Sequence, residues 1–131
     1  MSNSSLLFLR YRLPAILWAL LIFAGSSIPS QIFPSIKIFN FDKFIHIIIF
    51  YVFGILVYRA LRSYGLDRSF QVKHAFITIL IVMLYGVTDE LHQHYVPGRM
   101  PDIWDASADT FGAILAMLTT YIYYRLKARK S

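Results

Sequence analysis

The chain has 131 residues, which is enough for one domain, and 57% of them are hydrophobic while only 15% are charged. An average soluble domain has about 25% charged residues, so a soluble globular protein is excluded as the simplest interpretation. The absence of cysteine also excludes disulfides, thiolate metal sites and thiol catalysis. We therefore predict a single membrane domain over residues 1–131, in which the net charge of +6 reflects membrane orientation and not binding to nucleic acid.

Four apolar runs of helical length follow one another along the chain. The third and fourth runs are shorter than about 30 Å of hydrocarbon requires, so their helices must include neighbouring polar residues. Because the first run lacks a small-residue cleavage site, we expect it to be retained as a helix. The sequence thus predicts an all-α integral membrane bundle of four transmembrane helices, at about residues 13–28, 44–62, 73–95 and 103–125.

Two connecting segments carry turn or interface signals. Residues 31–41 alternate apolar and polar side chains, so this loop is expected to lie in the membrane interface or to cover the bundle. The pair Pro97-Gly98 follows the third helix and is most simply a turn.

Basic residues are distributed unequally between the two sides of the predicted membrane. Ten of the thirteen lie in the N-terminus, the second loop and the C-terminus, and only Lys37, Lys43 and Arg99 lie in the other loops. By the positive-inside rule, this asymmetry predicts that both termini face the cytoplasm. The first and third loops then lie outside, together with six of the seven acidic residues.

Three helices place a titratable group at the same predicted depth. His46, Asp89 and Asp109 each lie 15 or 16 residues from a basic residue or histidine at the opposite helix end, which is about 22–24 Å of helical rise. An isolated charge at this depth is costly, so these side chains are expected to face one another or a water-filled cleft. The sequence therefore predicts an outward-facing polar site within the membrane.

The spacing of polar residues along each helix predicts which further residues belong to this site. Asp102, Asp105 and Asp109 share one face of the fourth helix, and Asp42 lies one turn from His46 on the second. On the third helix, Asp89 shares a face with Gln93, while Glu90 shares the adjacent face with His94. Asp42 and Asp102 precede apolar runs, so their simplest role is that of helix N-caps.

Several of these residues form four ordered motifs. They are Asp42-Lys43-x-x-His46, Asp89-Glu90-x-x-Gln93, Pro97-Gly98-Arg99 and Asp105-x-x-x-Asp109-x-x-Gly112. Together the motifs resemble the VanZ-like family of small bacterial membrane proteins, and the serines of Ser26-Ser27-x-Pro29 fit the family as well. The resemblance runs from about residue 14 to residue 124. One departure is Asp109, where the family usually has Asn, so this site has one more acid.

The resemblance implies a protein of the bacterial cytoplasmic membrane that binds or modifies a component of the cell envelope. In some relatives it implies low-level resistance to teicoplanin-type lipoglycopeptides, but it supplies no established reaction. Besides membrane lipids, the expected partner is a lipid-linked or glycan envelope ligand, and Arg99 is expected to hold its anionic group. The predicted ligand-binding residues are Asp42, Lys43, His46, Asp89, Glu90, Gln93, Arg99, Asp105 and Asp109.

An enzyme is the alternative hypothesis from the same residues. An intramembrane hydrolase or transferase would use His46 with Asp89 or Glu90 as acid and base, with or without a metal ion. The chain has neither a nucleophile motif nor a zinc-binding HExxH signature, and the acidic surroundings of His92 and His94 disfavour haem ligation. We therefore expect no metal and no cofactor, and whether a reaction is catalysed stays open.

Overall fold

The computed structural model describes residues 3–32, 41–64 and 69–130. Within these ranges the regular structure is helical and includes no strand, which confirms the all-α class. The prediction for the loop of residues 31–41 falls mostly on residues 33–40, outside the described residues. The α-helices are α1 (Asn3–Leu7), α2 (Leu13–Ser26), α3 (Phe41–Leu61), α4 (Val72–Gln93) and α5 (Ile103–Ala128). A π-helical segment (Phe8–Arg12) joins α1 to α2, and single 3₁₀ turns lie at Ser30–Ile32 and Arg62–Tyr64.

Three helical stretches are long and apolar enough to cross a membrane, namely Ser4–Ser26, Phe41–Leu61 and Val72–Gln93. The first of them begins before the predicted run, because the π-helical segment continues the helix through the arginines near residue 10. Helix α5 is the longest, with 26 residues, but its N-terminal half carries two aspartates and its C-terminal half two basic residues. Helix α5 is therefore less apolar in composition than the other three stretches.

The outside of the bundle is covered by large hydrophobic side chains. Leu21, Leu84 and Leu118 lie on three different helices and are each at least half exposed. Extended apolar surface of this kind is rare on soluble monomers and is suited to a lipid environment. Together with the three apolar helices, it identifies a membrane protein.

Helix α3 occupies the centre of the bundle and packs mainly against α5 and also against α4. Phe50 and Phe53 of α3 form the core with Val82 of α4 and Ala113 of α5. The first span is tied on by two side-chain hydrogen bonds, from Trp18 Nε1 to the carbonyl of Ile49 and from the Tyr85 hydroxyl to that of Ala19. This packing brings the polar ends of α3, α4 and α5 together.

Helices α3 and α5 approach closely because small residues lie where they cross. A Cβ atom added at Gly112 would lie 2.5 Å from the backbone oxygen of Ile47, and one at Gly54 would lie 3.1 Å from Cβ of Ala116. Small residues at such crossings allow backbones to approach, which is how helices associate in lipid. A side chain at position 112 would therefore collide with the backbone of α3, which cannot move aside as a flexible side chain can.

We expect Gly112→Ala to lower the free energy of unfolding by about 1–3 kcal/mol, since the added methyl group forces α3 and α5 apart. The measurement is reversible unfolding of the purified protein in mixed detergent. Gly25→Ala is the matched control, because nothing lies within 4 Å of a Cβ atom at that helical position. Equal destabilisation by both substitutions would show that the close approach is unimportant.

Candidate functional site

A cluster of polar side chains lies where α3, α4 and α5 meet at one end of the bundle. We call it the carboxylate end and define it by Asp42, Lys43, His46, Asp89, Glu90, Gln93, Asp102, Asp105 and Asp109. All of these residues except Asp102 were predicted as ligand-binding residues from the sequence. Most of them are in contact with one another, as the following distances show.

Lys43 is the cation that joins α3 to α5. Its ammonium lies 2.8 Å from Asp102 Oδ2, 2.8 Å from Asp105 Oδ1 and 3.3 Å from Asp42 Oδ2. Three carboxylates around one ammonium hold the first turns of the two helices together.

Asp102 caps α5, as predicted. Its Oδ1 accepts a hydrogen bond from the backbone N–H of Trp104 at 2.9 Å, while its Oδ2 binds Lys43. The hydrogen bonds from Lys43 and Trp104 lower the pKa of the Asp102 carboxyl, since both stabilise the anion. Asp42, predicted as a cap, lies instead within the first turn of α3, where a carboxylate interacts favourably with the helix dipole.

A deeper layer is formed by His46 and Asp109. Nδ1 of His46 lies 2.8 Å from Asp109 Oδ1, and its Nε2 lies 3.9 Å from Asp105 Oδ2. The side chain of Asp109 is 0% exposed, and among the described residues its Oδ2 has no hydrogen-bond partner. Asp109 therefore faces the interior of the bundle, where it was expected to point.

Glu90 completes this layer from α4. It is buried, and its Oε2 accepts a hydrogen bond of 2.8 Å from the backbone N–H of Asp102, which fixes the carboxylate. One ligand atom from each of His46, Glu90 and Asp109 lies within 4.8 Å of the others. These three residues come from three different helices, and we call them the buried trio, although His46 is only partly buried.

Asp89 is also buried but is not part of the buried trio. Its Oδ2 accepts a hydrogen bond from Gln93 Nε2 at 3.1 Å, and its Oδ1 has no hydrogen-bond partner in the described part of the chain. The depth argument grouped Asp89 with His46 and Asp109, whereas the rotation of α4 places its neighbour Glu90 there. The contact of His46 with Asp109 was expected from the sequence, whereas the position of Glu90 in this layer in place of Asp89 was not.

The side chains of the cluster are exposed at the end of the bundle and become buried toward its middle. The exposed fraction of the side chain falls from 61% at Asp42 to 24% at Lys43 and 0% at Asp109. A cavity of about 470 Å³ adjoins Lys43 and is otherwise lined by Trp104, Ser107, Ala108 and Phe111. A ligand arriving from the carboxylate end would therefore meet Lys43 before it met the buried trio.

Arg99 lies beside this cluster in sequence, in the turn between α4 and α5. Its N–H donates to the carbonyl of Val96 at 3.1 Å, and Gly98 between them has a φ of 75°, a conformation that favours glycine. Nε of Arg99 donates to the backbone oxygen of Ile28 at 3.3 Å. The predicted Pro97-Gly98 turn is confirmed, and Arg99 connects it to the end of the first span.

The serine motif after α2 takes part in the same connection, which the sequence did not predict. The hydroxyl of Ser27 lies 2.9 Å from Nε2 of His92, and the ring of His92 packs on Phe23 at a centroid distance of 4.4 Å. The backbone N–H of Ser30 also donates to the carbonyl of Pro97. Two sequence motifs 70 residues apart thus form one contact region.

A second cavity, of about 680 Å³, lies at the opposite end of the bundle. Its lining includes Arg59, Arg62 and Lys127 together with several tyrosines, and Arg62 stacks over the rings of Tyr58 and Tyr124. Aromatic and basic residues of this kind are typical of a membrane interface.

The family whose sequence model matches this chain is described as VanZ/LLP1, and the match covers residues 8–124. It includes every residue of the carboxylate end and both loops that meet at Arg99. No curated protein and no solved structure has significant sequence or structural similarity to the chain.

Proposed function

This chain belongs to the VanZ/LLP1 family, and from that premise we propose that it is a multi-pass protein of the bacterial cytoplasmic membrane that binds a cell-envelope component. Helix α5 serves as the fourth span, because its 26 residues pack along α3 and α4. The basic residues at the end opposite to the carboxylate end support a topology with both termini in the cytoplasm, by the positive-inside rule. The carboxylate end then faces outward.

The observation that carries this proposal is the polar cluster that opens at Asp42 and Lys43 and closes at Asp109. Interior charges of membrane proteins are costly, and where they occur they usually serve a binding or transport function. The ligand we propose is a lipid-linked or glycan headgroup whose hydroxyls or amines bind the carboxylates. Arg99 would hold an anionic group of the same ligand through its planar guanidinium. Altered access to such a headgroup would contribute to resistance against teicoplanin-type lipoglycopeptides.

One observation favours a second candidate, an intramembrane hydrolase or transferase. The hydrogen bond between His46 Nδ1 and Asp109 Oδ1 is the contact by which a carboxylate orients a histidine acting as general base. The other ring nitrogen of His46, Nε2, lies 3.9 Å from the carboxylate of Asp105. In this candidate, His46 would activate water or a hydroxyl of a lipid-linked substrate. Turnover of such a substrate by the purified protein would distinguish an enzyme from a binding protein.

The proposed function is tested with Lys43→Met, which removes the cation at the entrance of the cluster. We expect the wild-type protein in nanodiscs to bind a polyprenyl-pyrophosphate-linked glycan, and its expression in a sensitive host to raise the inhibitory concentration of teicoplanin. Lys43→Met is expected to lower binding about tenfold or more and to remove the protection, because a charged hydrogen bond contributes about 1.5–3 kcal/mol.

Lys73→Met is the matched control, since Lys73 is an exposed lysine at the first turn of α4, at the opposite end of the bundle. It should leave both measurements close to the wild-type values. Absence of binding and of protection with the wild-type protein would contradict the proposed function.

A further inference from the structure

We propose that His46, Glu90 and Asp109 bind one divalent metal ion between α3, α4 and α5. No metal was expected from the sequence, because the chain has no contiguous zinc-binding motif on one helix. The buried trio instead assembles its ligands from three helices. For the role of the metal this inference rests on the proposed function, but metal binding is measured without any envelope ligand.

The first argument is the geometry of the ligand atoms. A ring nitrogen of His46 and one carboxylate oxygen each from Glu90 and Asp109 lie within 4.8 Å of one another. Ligands about 2.1 Å from a tetrahedral metal ion lie about 3.4 Å apart. Side-chain adjustments of at most about 1.4 Å would therefore bring these atoms to coordination distance.

The second argument is an oxygen that the protein leaves unsatisfied. Oδ2 of Asp109 is buried and has no hydrogen-bond partner among the described residues. It points toward α4, since a Cβ atom added at Gly86 would lie only 2.7 Å away. Gly86 lies one helical turn before Glu90 on that helix. A buried carboxylate oxygen without a partner is costly, and a metal ion would satisfy it.

The third argument is the balance of charge. The buried trio combines two carboxylates with one imidazole, and the ammonium of Lys43 is engaged by Asp102 and Asp105. Two carboxylates inside a bundle require compensating positive charge or protonation. A divalent cation compensates both of them at a single position.

The ligand types indicate which metal ions fit. Ca²⁺ and Mg²⁺ prefer sites composed of oxygen alone, whereas an imidazole with carboxylates suits Zn²⁺, Mn²⁺ or Fe²⁺. The hydrogen bond from the Asp102 N–H to Glu90 supplies the kind of second contact that orients a metal ligand. Three protein ligands leave at least one position for an external group. A phosphate or hydroxyl of the envelope ligand would occupy that position, which explains how an acidic cluster accepts an anionic headgroup.

The test uses the full chain purified in detergent and stripped with EDTA. We expect isothermal titration with Zn²⁺ or Mn²⁺ to show one equivalent bound per chain, and elemental analysis after gel filtration to retain it. Co²⁺ should produce visible absorption bands that depend on the same residues. Asp109→Asn preserves the size of the side chain but removes its charge, and we expect it to weaken binding by at least about 100-fold. Glu90→Gln is the second variant, and it decides the result should Asp109→Asn not fold.

His94→Gln is the matched control, because it removes an exposed imidazole at the end of α4 that lies outside the carboxylate end. It should bind the metal almost as tightly as the wild-type protein. Absence of a bound equivalent in the wild-type protein would overturn the proposal, as would equal binding by the folded Asp109→Asn or Glu90→Gln variant. Metal binding without headgroup binding would overturn only the proposed function. Headgroup binding by a protein that takes up no metal would overturn only the metal site.

Discussion

We expect His46→Phe to lower the free energy of unfolding of the EDTA-treated protein by about 3–5 kcal/mol, because it leaves the carboxylate of Asp109 buried without its hydrogen-bond partner. Oδ1 of Asp109 is bonded to His46, and Oδ2 already lacks a partner among the described residues. The new phenyl ring keeps the stacking on Phe50 that the imidazole makes, at 6.2 Å between ring centroids. The loss therefore reports the polar contact. The measurement is reversible unfolding in mixed detergent.

A double variant separates lost pairing from lost packing. His46→Phe combined with Asp109→Leu removes both polar groups, and we expect it to recover most of the lost stability, because no charge remains buried without a partner. His94→Phe is the control for the substitution itself, since His94 is exposed at the end of α4. A double variant that is no more stable than His46→Phe alone would show that the contact with Asp109 is not the cause.

The all-α class and the three apolar stretches could be predicted because lipid imposes a simple requirement on composition. Apolar runs long enough to cross the membrane account for α2, α3 and α4 within a few residues. The N-cap at Asp102 and the turn at Pro97-Gly98 could also be predicted, since both depend on interactions within a few residues. Local interactions and the lengths of the apolar runs are thus sufficient to predict most of the helical structure.

The residues of the site were predicted better than the contacts between their side chains. The grouping of His46 with Asp109 followed from equal depth, and the structure brings the two side chains into contact. The rotation of α4 about its axis brings Glu90, and not Asp89, next to His46 and Asp109. This rotation depends on the close contact between Gly86 and the carboxylate of Asp109. A rotation of this kind is set by packing between helices, and a single sequence does not reveal it.

The ion pairs of Lys43 illustrate the same limit. Lys43 lies on α3, and it binds Asp102 and Asp105 at sequence separations of 59 and 62 residues. The sequence predicted that all three residues lie at the same end of the bundle. Which of them form ion pairs depends on how α3 packs against α5, and a single sequence does not reveal it.

The substitution Arg99→Lys distinguishes two roles of Arg99. In one role Arg99 fastens the turn, because its Nε donates to the carbonyl of Ile28. In the other, its guanidinium also holds an anionic group of the envelope ligand through two parallel hydrogen bonds. Lysine keeps the charge and a donor but loses the planar pair of donors. The first role tolerates this substitution, and the second does not.

We expect Arg99→Lys to remain folded, with a melting temperature close to that of the wild-type protein, but to bind the polyprenyl-pyrophosphate-linked glycan about ten- to hundredfold more weakly. Protection against teicoplanin should be lost with it. Arg129→Lys is the matched control, because it makes the same change at an exposed arginine just after the end of α5. If Arg99→Lys binds and protects fully while Arg99→Ala unfolds the protein, Arg99 fastens the turn and the anion must be held by Lys43 or by a metal ion on the buried trio.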